Sequence, residues 1–297
     1  MTFPEKLYKE FPGLSILNNE PMAKHTSFRI GGPATVVFPR SCEELTALYR
    51  FCIREQAEPL ILGAGTNVLA PDEGLDRPVI CTRELKEIQD LGGGILEAEC
   101  GVSMAKLAAC ARDLSLTGLE FAHGIPGTVG GGVYMNAGAY GGEMKQVVIK
   151  TWALLPDGSV WEVNGQEHGF SYRYSAFEAK NAVILKTQVQ LQTGEQEQIT
   201  ARMQELIQKR RASQPLDMPS AGSMFKRPAG GYAAALIDEA GLKGKGVGGA
   251  AVSEKHAGFV VNLGGATAED VCQTMKMIRD EVWKTSGILL EPEVRIW

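Results

Sequence analysis

The chain has 297 residues, 44% of them hydrophobic and 22% charged, an ordinary globular composition with enough length for two or three domains. A net charge of −5 supplies no general attraction for nucleic acid or acidic membranes, so an anionic ligand has to be held by local cations and backbone amides. Residues 1–6 carry neither the basic nor the apolar region of a signal peptide, and no apolar run of about 18 residues follows; the expectation is a cytoplasmic protein without nucleic-acid or membrane partners. Six cysteines without a CxxC pair and four scattered histidines lack metal-ligand spacing, so no metal is expected and the thiols read as buried and free.

In chain order, Ser41 and Glu44 form a capping box ahead of Leu45, Leu48 and Cys52 on one helical face, which predicts a helix through about Gln56. Leu60-Ile61-Leu62 reads as a strand leading into Gly63-Ala64-Gly65-Thr66-Asn67. A strand near Ile95–Cys100, a helix near Met104–Leu114 and a long loop from Gly118 to Gly142 come next. Val147–Leu155 and Val160–Val163 flank Pro156-Asp157-Gly158-Ser159, which is hairpin chemistry, and Val183, Leu185, Val189 and Leu191 alternate as in a strand. A helical pattern with Ile199, Met203, Leu206 and Ile207 breaks at Gln214-Pro215. Thr267 and Asp270 cap a last helix, with Val271, Met275, Ile278 and Val282 on one face and a stop at Gly287, before a strand over Ile288–Trp297. Strands and helices mix without regular βαβ alternation, so the fold class is α+β and a doubly wound sheet is disfavoured.

Glycine is the outlier, with 35 residues against a usual share of about 7%. Nine fall between Gly118 and Gly142, where missing Cβ atoms let successive N–H groups converge on phosphate oxygens. A mobile surface loop is the alternative, but Ile125, Val129, Val133 and Met135 are costly to leave in water. Gly63–Asn67 lacks the third glycine of a dinucleotide fingerprint, and the GxGxxG spacing at Gly244–Gly249 follows a helical stretch, not the strand that mechanism needs. Ser223-Met224-Phe225-Lys226 has the SxxK spacing of serine acyl-enzymes, but their SDN and KTG elements are missing. Lys209-Arg210-Arg211 reads as a solvated helix end opposing the macrodipole, with diphosphate binding as the alternative. His123, His168 and His256 are isolated from acid partners and read as structural.

Taken together, these motifs resemble the UDP-N-acetylenolpyruvoylglucosamine reductase family, flavoenzymes of peptidoglycan precursor synthesis. The resemblance runs from His25-Thr26-Ser27-Phe28-Arg29-Ile30-Gly31-Gly32 through both glycine segments and Tyr172-Arg173-Tyr174-Ser175 to Ala221-Gly222-Ser223-Met224-Phe225-Lys226. It continues over Val252–Phe259 and ends at Leu290-Glu291-Pro292-Glu293-Val294-Arg295. It implies a two-lobed FAD-binding domain of the vanillyl-alcohol-oxidase type plus a C-terminal α+β substrate-binding domain. The lobes would be residues 1–80, with 290–297 returning to them, and 81–195; the substrate-binding domain would be 205–289. It further implies non-covalent FAD held by Gly63, Ala64, Gly65, Thr66, Asn67, Gly124, Ile125, Gly127, Thr128, Gly130, Gly131, Asn136 and Gly138. NADPH would be the co-substrate, a UDP-sugar enol ether the substrate, and the monomer the working form.

The same resemblance marks three catalytic positions. Arg173 would stabilise the charge left by hydride addition, Ser223 would supply the proton, and Glu293 would act near the substrate carboxylate as an acid or as an orienter of water and Arg173. Lys226, Arg227 and Arg210 are expected to contact the substrate's anionic groups; Arg227 stands where many relatives carry Asn. The rival on the same scaffold is a flavin oxidase acting on a small alcohol or hydroxy acid.

Overall fold

The alternating run at Val183 forms the strand Val183–Gln190, third in a five-stranded antiparallel sheet ordered Val160–Asn164, Val148–Leu154, Val183–Gln190, Ile95–Glu99, Ile88–Gly92. This is a computed structural model; it describes residues 2–297, and the chain divides into two compact units. The first comprises Met1–Asn18, Thr35–Ala64 and Arg77–Lys209, the second Asn19–Ala34, Gly65–Asp76 and Arg210–Trp297.

In the first unit the expected hairpin turns where Asp157 Oδ1 accepts from the Ser159 amide at 2.9 Å and Gly158 takes a positive φ of 79°. Thr151 and Thr187 are fully buried and share a hydroxyl contact of 3.3 Å. His168, also fully buried, donates from Nδ1 to the Gly165 carbonyl and accepts at Nε2 from Thr151. Burial pushes its pKa down, and the neutral ring is a core polar group with both nitrogens used. The helix Cys42–Arg54 buries Leu45, Leu48 and Cys52 as its periodicity predicts. Ser41 Oγ caps it by accepting from the Glu44 amide, but the Glu44 carboxylate turns back to the Arg40 N–H and guanidinium instead of closing a full box. Leu60–Leu62 and Pro33–Phe38 both pair in parallel with Val79–Cys81.

The second unit carries its own apolar core, from Phe28 and Leu69 to Val282 and Val294. Its antiparallel sheet runs Ser220–Ser223, Phe259–Asn262, Ala250–Val252, Gly246–Val247. The helix Ala268–Ser286 buries Val271, Met275, Ile278 and Val282, with a complete Thr267–Asp270 capping box and Gly287 at φ 69° as its stop. The glycines at 244, 246 and 249 lie close to Glu254, the Ala250 carbonyl and Ala266, and the segment also serves the cap of the last helix. The Asp270 carboxylate accepts from the amides of Gly249 and Thr267, and a Cβ at Gly248 would collide with it.

The terminal strand is shorter than expected: only Arg295–Ile296 pairs, in parallel with Val68–Leu69, while Phe225 and Pro292 make an isolated bridge. Pro292 has no N–H to offer a ladder, which interrupts the strand before it starts.

Among the described residues no helix is long and apolar enough to cross a membrane, and no cluster of His, Cys, Asp or Glu could hold a metal ion. The six cysteines are free; burial pushes the Cys52 and Cys100 thiols up to about 12.

Hydrogen bonds from the Gly249 and Thr267 amides hold the Asp270 carboxyl below its ordinary value. A depressed folded pKa means a stabilisation that is full above the unfolded value near 4 and lost as pH falls through the folded one. Asp270→Ala should therefore melt below the parent at pH 7, and the gap should close as the pH is lowered through 4 towards 2. A gap that did not change with pH would exclude the ionised cap as its source.

Candidate active site

Close backbone approach organises the glycine segments of the first unit. The strand Leu60–Leu62 delivers Gly63 against Thr128, where an added Cβ would lie 2.5 Å from Thr128 Oγ1. Thr128 caps the short helix Val129–Tyr134 by accepting from the Gly131 amide at 3.3 Å. The Val129 and Gly130 amides donate to the carbonyls of Val102 and Cys100, at 2.7 and 2.8 Å, and a Cβ on Gly130 would come within 2.7 Å of Cys100 Cβ. The structure thus brings Gly63 against the Thr128 segment, and the amides of Gly130 and Gly131 donate within the chain. The amides of Ala64, Gly65, Gly124 and Gly127 meet no acceptor among the described residues. Beside Gly124, His123 Nδ1 is buried and has no partner among them.

Asn136, 1% exposed with φ 42°, ties three strands of chain together. Its Nδ2 donates to Glu143 Oε2 at 2.8 Å and to the Ser171 carbonyl at 3.0 Å, and its Oδ1 accepts from the Lys145 amide at 2.9 Å. Those bonds use the capacity of the side-chain amide. The Ser171 carbonyl it holds belongs to a tight turn in which Ser171 and Tyr174 exchange both backbone hydrogen bonds, at 3.1 and 3.2 Å. Arg173 sits in that turn at φ 54°, a conformation costly for a residue with a Cβ, and its guanidinium carbon lies 5.1 Å from the centre of the Tyr172 ring. Buried Ser175 locks the turn to the glycine segment by donating to the Tyr134 carbonyl at 2.7 Å.

In the second unit, Ser223 ends its strand opposite Phe259, past a register shift that begins at Ser220. Gly222 lies in this irregular stretch at φ 77°, and nothing stands within 4 Å of the Cβ it lacks. Such a bulge re-aims one side chain: Ser223 is exposed while Ala221, Met224 and Phe225 are buried. The Met224 amide donates to the Gly258 carbonyl at 2.8 Å, and the Met224 carbonyl accepts from the Glu293 amide at 2.9 Å. Asn67 Nδ2 then donates to the Glu293 carbonyl at 3.1 Å. The residue next to Ser223 is therefore held at its N–H by Gly258 and at its C=O by Glu293. Ser27 was not marked by the sequence reading, although its motif was; its Oγ contacts both the Gly65 carbonyl, at 3.2 Å, and the Ser220 carbonyl, at 2.6 Å.

The expected anion contacts have neighbours of their own. Lys226 pairs with Glu291 at 2.5 Å, and Arg227 lies 4.3 Å from the Tyr232 ring centre. Lys226 stands in an extended segment whose amide bonds to the Glu291 carbonyl, so Ser223 and Lys226 do not share a helical turn as an SxxK pair would need. Lys209 pairs with Glu205 at 2.6 Å, and Arg210 is half-buried beside it on the helix Gln196–Ser213.

Comparison with known proteins places this arrangement. A family model described as a FAD binding domain matches residues 33–164, and one described as the C-terminal domain of UDP-N-acetylenolpyruvoylglucosamine reductase matches 214–297. Curated reductases of that name are 47% identical in Caldanaerobacter subterraneus subsp. tengcongensis (94% of this chain, 92% of the relative) and 43% identical in Syntrophomonas wolfei subsp. wolfei (98% of each). The crystal structure of UDP-N-acetylenolpyruvylglucosamine reductase from Thermus caldophilus superposes with a TM-score of 0.82 at 34% identity, covering 96% of this chain and 99% of that one. A structure of alkyldihydroxyacetonephosphate synthase, 14% identical over 65% of this chain and 41% of its own, shares the fold with a TM-score of 0.50. Fold and site define a FAD-binding oxidoreductase of α+β architecture. Within that class, the chain belongs to the UDP-N-acetylenolpyruvoylglucosamine reductase family.

Replacing Asn136 by Ala removes the acceptor of the Lys145 amide and one of the two donors to the Ser171 carbonyl, which keeps the Tyr174 amide, at a cost of about 0.5–1.5 kcal/mol per hydrogen bond lost. Thermal unfolding should show that loss. Turnover should fall further than the small unfolded fraction explains, because the Arg173 turn loses its anchor; a variant with parental stability and turnover would show the anchor to be dispensable.

Proposed function

We propose that the protein reduces UDP-N-acetyl-3-O-(1-carboxyvinyl)-glucosamine to UDP-N-acetylmuramate, using NADPH and non-covalently bound FAD. The observation that carries this reading is the bulge that exposes Ser223 next to Met224, whose carbonyl holds the Glu293 amide, in a chain of this family. The residues present fit FAD. Amides of Ala64, Gly65, Gly124 and Gly127 are open to its phosphates, the close approach at Gly63 and Gly130 keeps Thr128 and the backbone near, and Gly131 donates to Thr128 beside them. Thr66, Asn67, Ile125 and Gly138 complete the wall, and Asn136 serves it by fixing backbone. In this reading residues 1–80, 81–195 and 290–297 serve the cofactor and 205–289 the UDP-sugar, in a cytoplasmic monomer.

When bound, FAD supplies the hydride, taken from NADPH and delivered from N5 to the terminal methylene carbon of the enol ether. Negative charge then develops on the carbon bearing the carboxylate. Arg173 meets that charge with a planar fork that needs no reorganisation, an effect typically worth roughly 3–4 kcal/mol in the transition state. Ser223 Oγ–H gives its proton to the same carbon and is reprotonated from solvent. Serine is a weak acid, but the carbanion is a strong base, and a positioned donor is worth about 10²–10⁴ in rate. Glu293 completes the set as an acid or as the orienter of water and Arg173. Lys226, Arg227 and Arg210 supply cations for the diphosphate.

The test is anaerobic mixing with NADPH and then with the enol ether while the flavin band is followed. Bleaching by NADPH and recovery on adding the second substrate are expected; bleaching without recovery would sink the proposal. Ser223→Ala should bleach normally and recover roughly 10²–10⁴ times more slowly, and Arg173→Ala should slow recovery by about 10²–10³. Glu293→Gln separates the two roles of that carboxylate: retained recovery marks an orienter, and loss comparable to Ser223→Ala marks an acid.

A further inference from the structure

His256 lies in the loop between the strands Ala250–Val252 and Phe259–Asn262, half-buried, with its ring edge-on to Phe259 at 4.9 Å between centres. Its Nδ1 accepts from the Gly258 amide at 3.1 Å, which fixes the neutral ring as the Nε2–H tautomer. The loop backbone is clamped as well: Ser253 Oγ accepts from the amides of Lys255 and His256, and the His256 carbonyl accepts from Phe259. Gly258 leaves no slack, since a Cβ there would sit 3.0 Å from His256 Cε1 and 3.2 Å from Ala234 Cβ. The carbonyl of this same Gly258 receives the Met224 amide, and Met224 directly follows Ser223 and holds the Glu293 amide.

We propose that His256 is a positioning residue, setting the backbone of Ser223 and Glu293 through a relay of three hydrogen bonds: imidazole to Gly258, Gly258 to Met224, and Met224 to Glu293. The inference rests on the proton-donor reading of Ser223. Burial lowers the pKa of His256, with the Lys243 charge acting in the same direction, so at neutral pH the ring is uncharged and Nδ1 remains an acceptor. No contact of the imidazole with substrate is required, because its effect passes through the backbone N–H and C=O of Met224.

The two half-reactions separate this role from a general structural one. His256→Phe keeps a ring against Phe259 but removes the acceptor, and His256→Ala serves as a second loss variant. Either should leave flavin bleaching by NADPH within about twofold of the parent while slowing recovery with the enol ether roughly 10- to 100-fold, the scale of a small misplacement of a reacting group. His256→Asn should restore most of the rate, since an Asn side chain accepts from the amide two residues on. In a Ser223→Ala background, His256→Phe should add no further slowing. Parental recovery in both loss variants, equal slowing of both half-reactions, no rescue by Asn, or additive slowing in the double variant would each overturn the relay. Parental recovery in Ser223→Ala alone would instead overturn the proton-donor reading beneath it.

Discussion

The backbone of Met224 is gripped at both of its polar groups, its N–H by the Gly258 carbonyl and its C=O by the Glu293 amide. The Met224 side chain is fully buried, as are nearly all of Ala221 and Phe225, so the core fixes the segment while the bulge at Gly222 frees one hydroxyl. A single side chain is thereby exposed from a stretch that is otherwise interior. Precision of this kind cannot come from the serine itself, whose short side chain has one rotatable bond; it comes from the backbone that carries it. The loop around His256, the terminal segment with Pro292 and the Asn67 amide all converge on that backbone.

The first unit meets a comparable demand by different means. Two segments of chain must run closer together than side chains permit, and glycine at 63 and 130 allows it. The cost is local: the amides of Val129, Gly130 and Gly131 are consumed in holding the short helix to Val102, Cys100 and Thr128. Asn136 then carries order outward from the glycine segment to the Arg173 turn. The positive φ of Arg173 is sustained because Ser171, Tyr174 and Ser175 are each bonded around it.

Local chemistry was readable from the sequence wherever the cause was local. Ser41, Thr267 and Gly287 mark helix ends, the Asp157-Gly158 turn marks a hairpin, and the periodic faces at Leu45 and Val271 point into cores. The Gly244–Gly249 spacing lacks a preceding strand, and its glycines lie close to Glu254, the Ala250 carbonyl and Ala266, while the intervening Gly248 makes room for the Asp270 cap. What periodicity could not show depends on partners far along the chain. The Asn136 contacts with Ser171, the Glu44 turn back to Arg40 and the interruption at Pro292 have no signature in a short window. Arg173, Ser223 and Glu293 were singled out by family resemblance alone; no pattern of spacing distinguishes them from other polar residues.

The pairing of Arg295 with Val68 joins residues 227 positions apart in the sequence. Each unit is discontinuous, and the second takes in Asn19–Ala34 and Gly65–Asp76 but lacks most of its core until Arg210–Trp297 is made. On a ribosome, chain emerges at about 5–20 residues per second, so apolar Phe28, Ile30 and Leu69 wait many seconds for their neighbours. The Trp297 amide that closes on the Leu69 carbonyl becomes available only after all of Arg210–Trp297 has emerged. Completion of this unit therefore waits on that segment, and its early segments are where a nascent chain would most need shielding from aggregation.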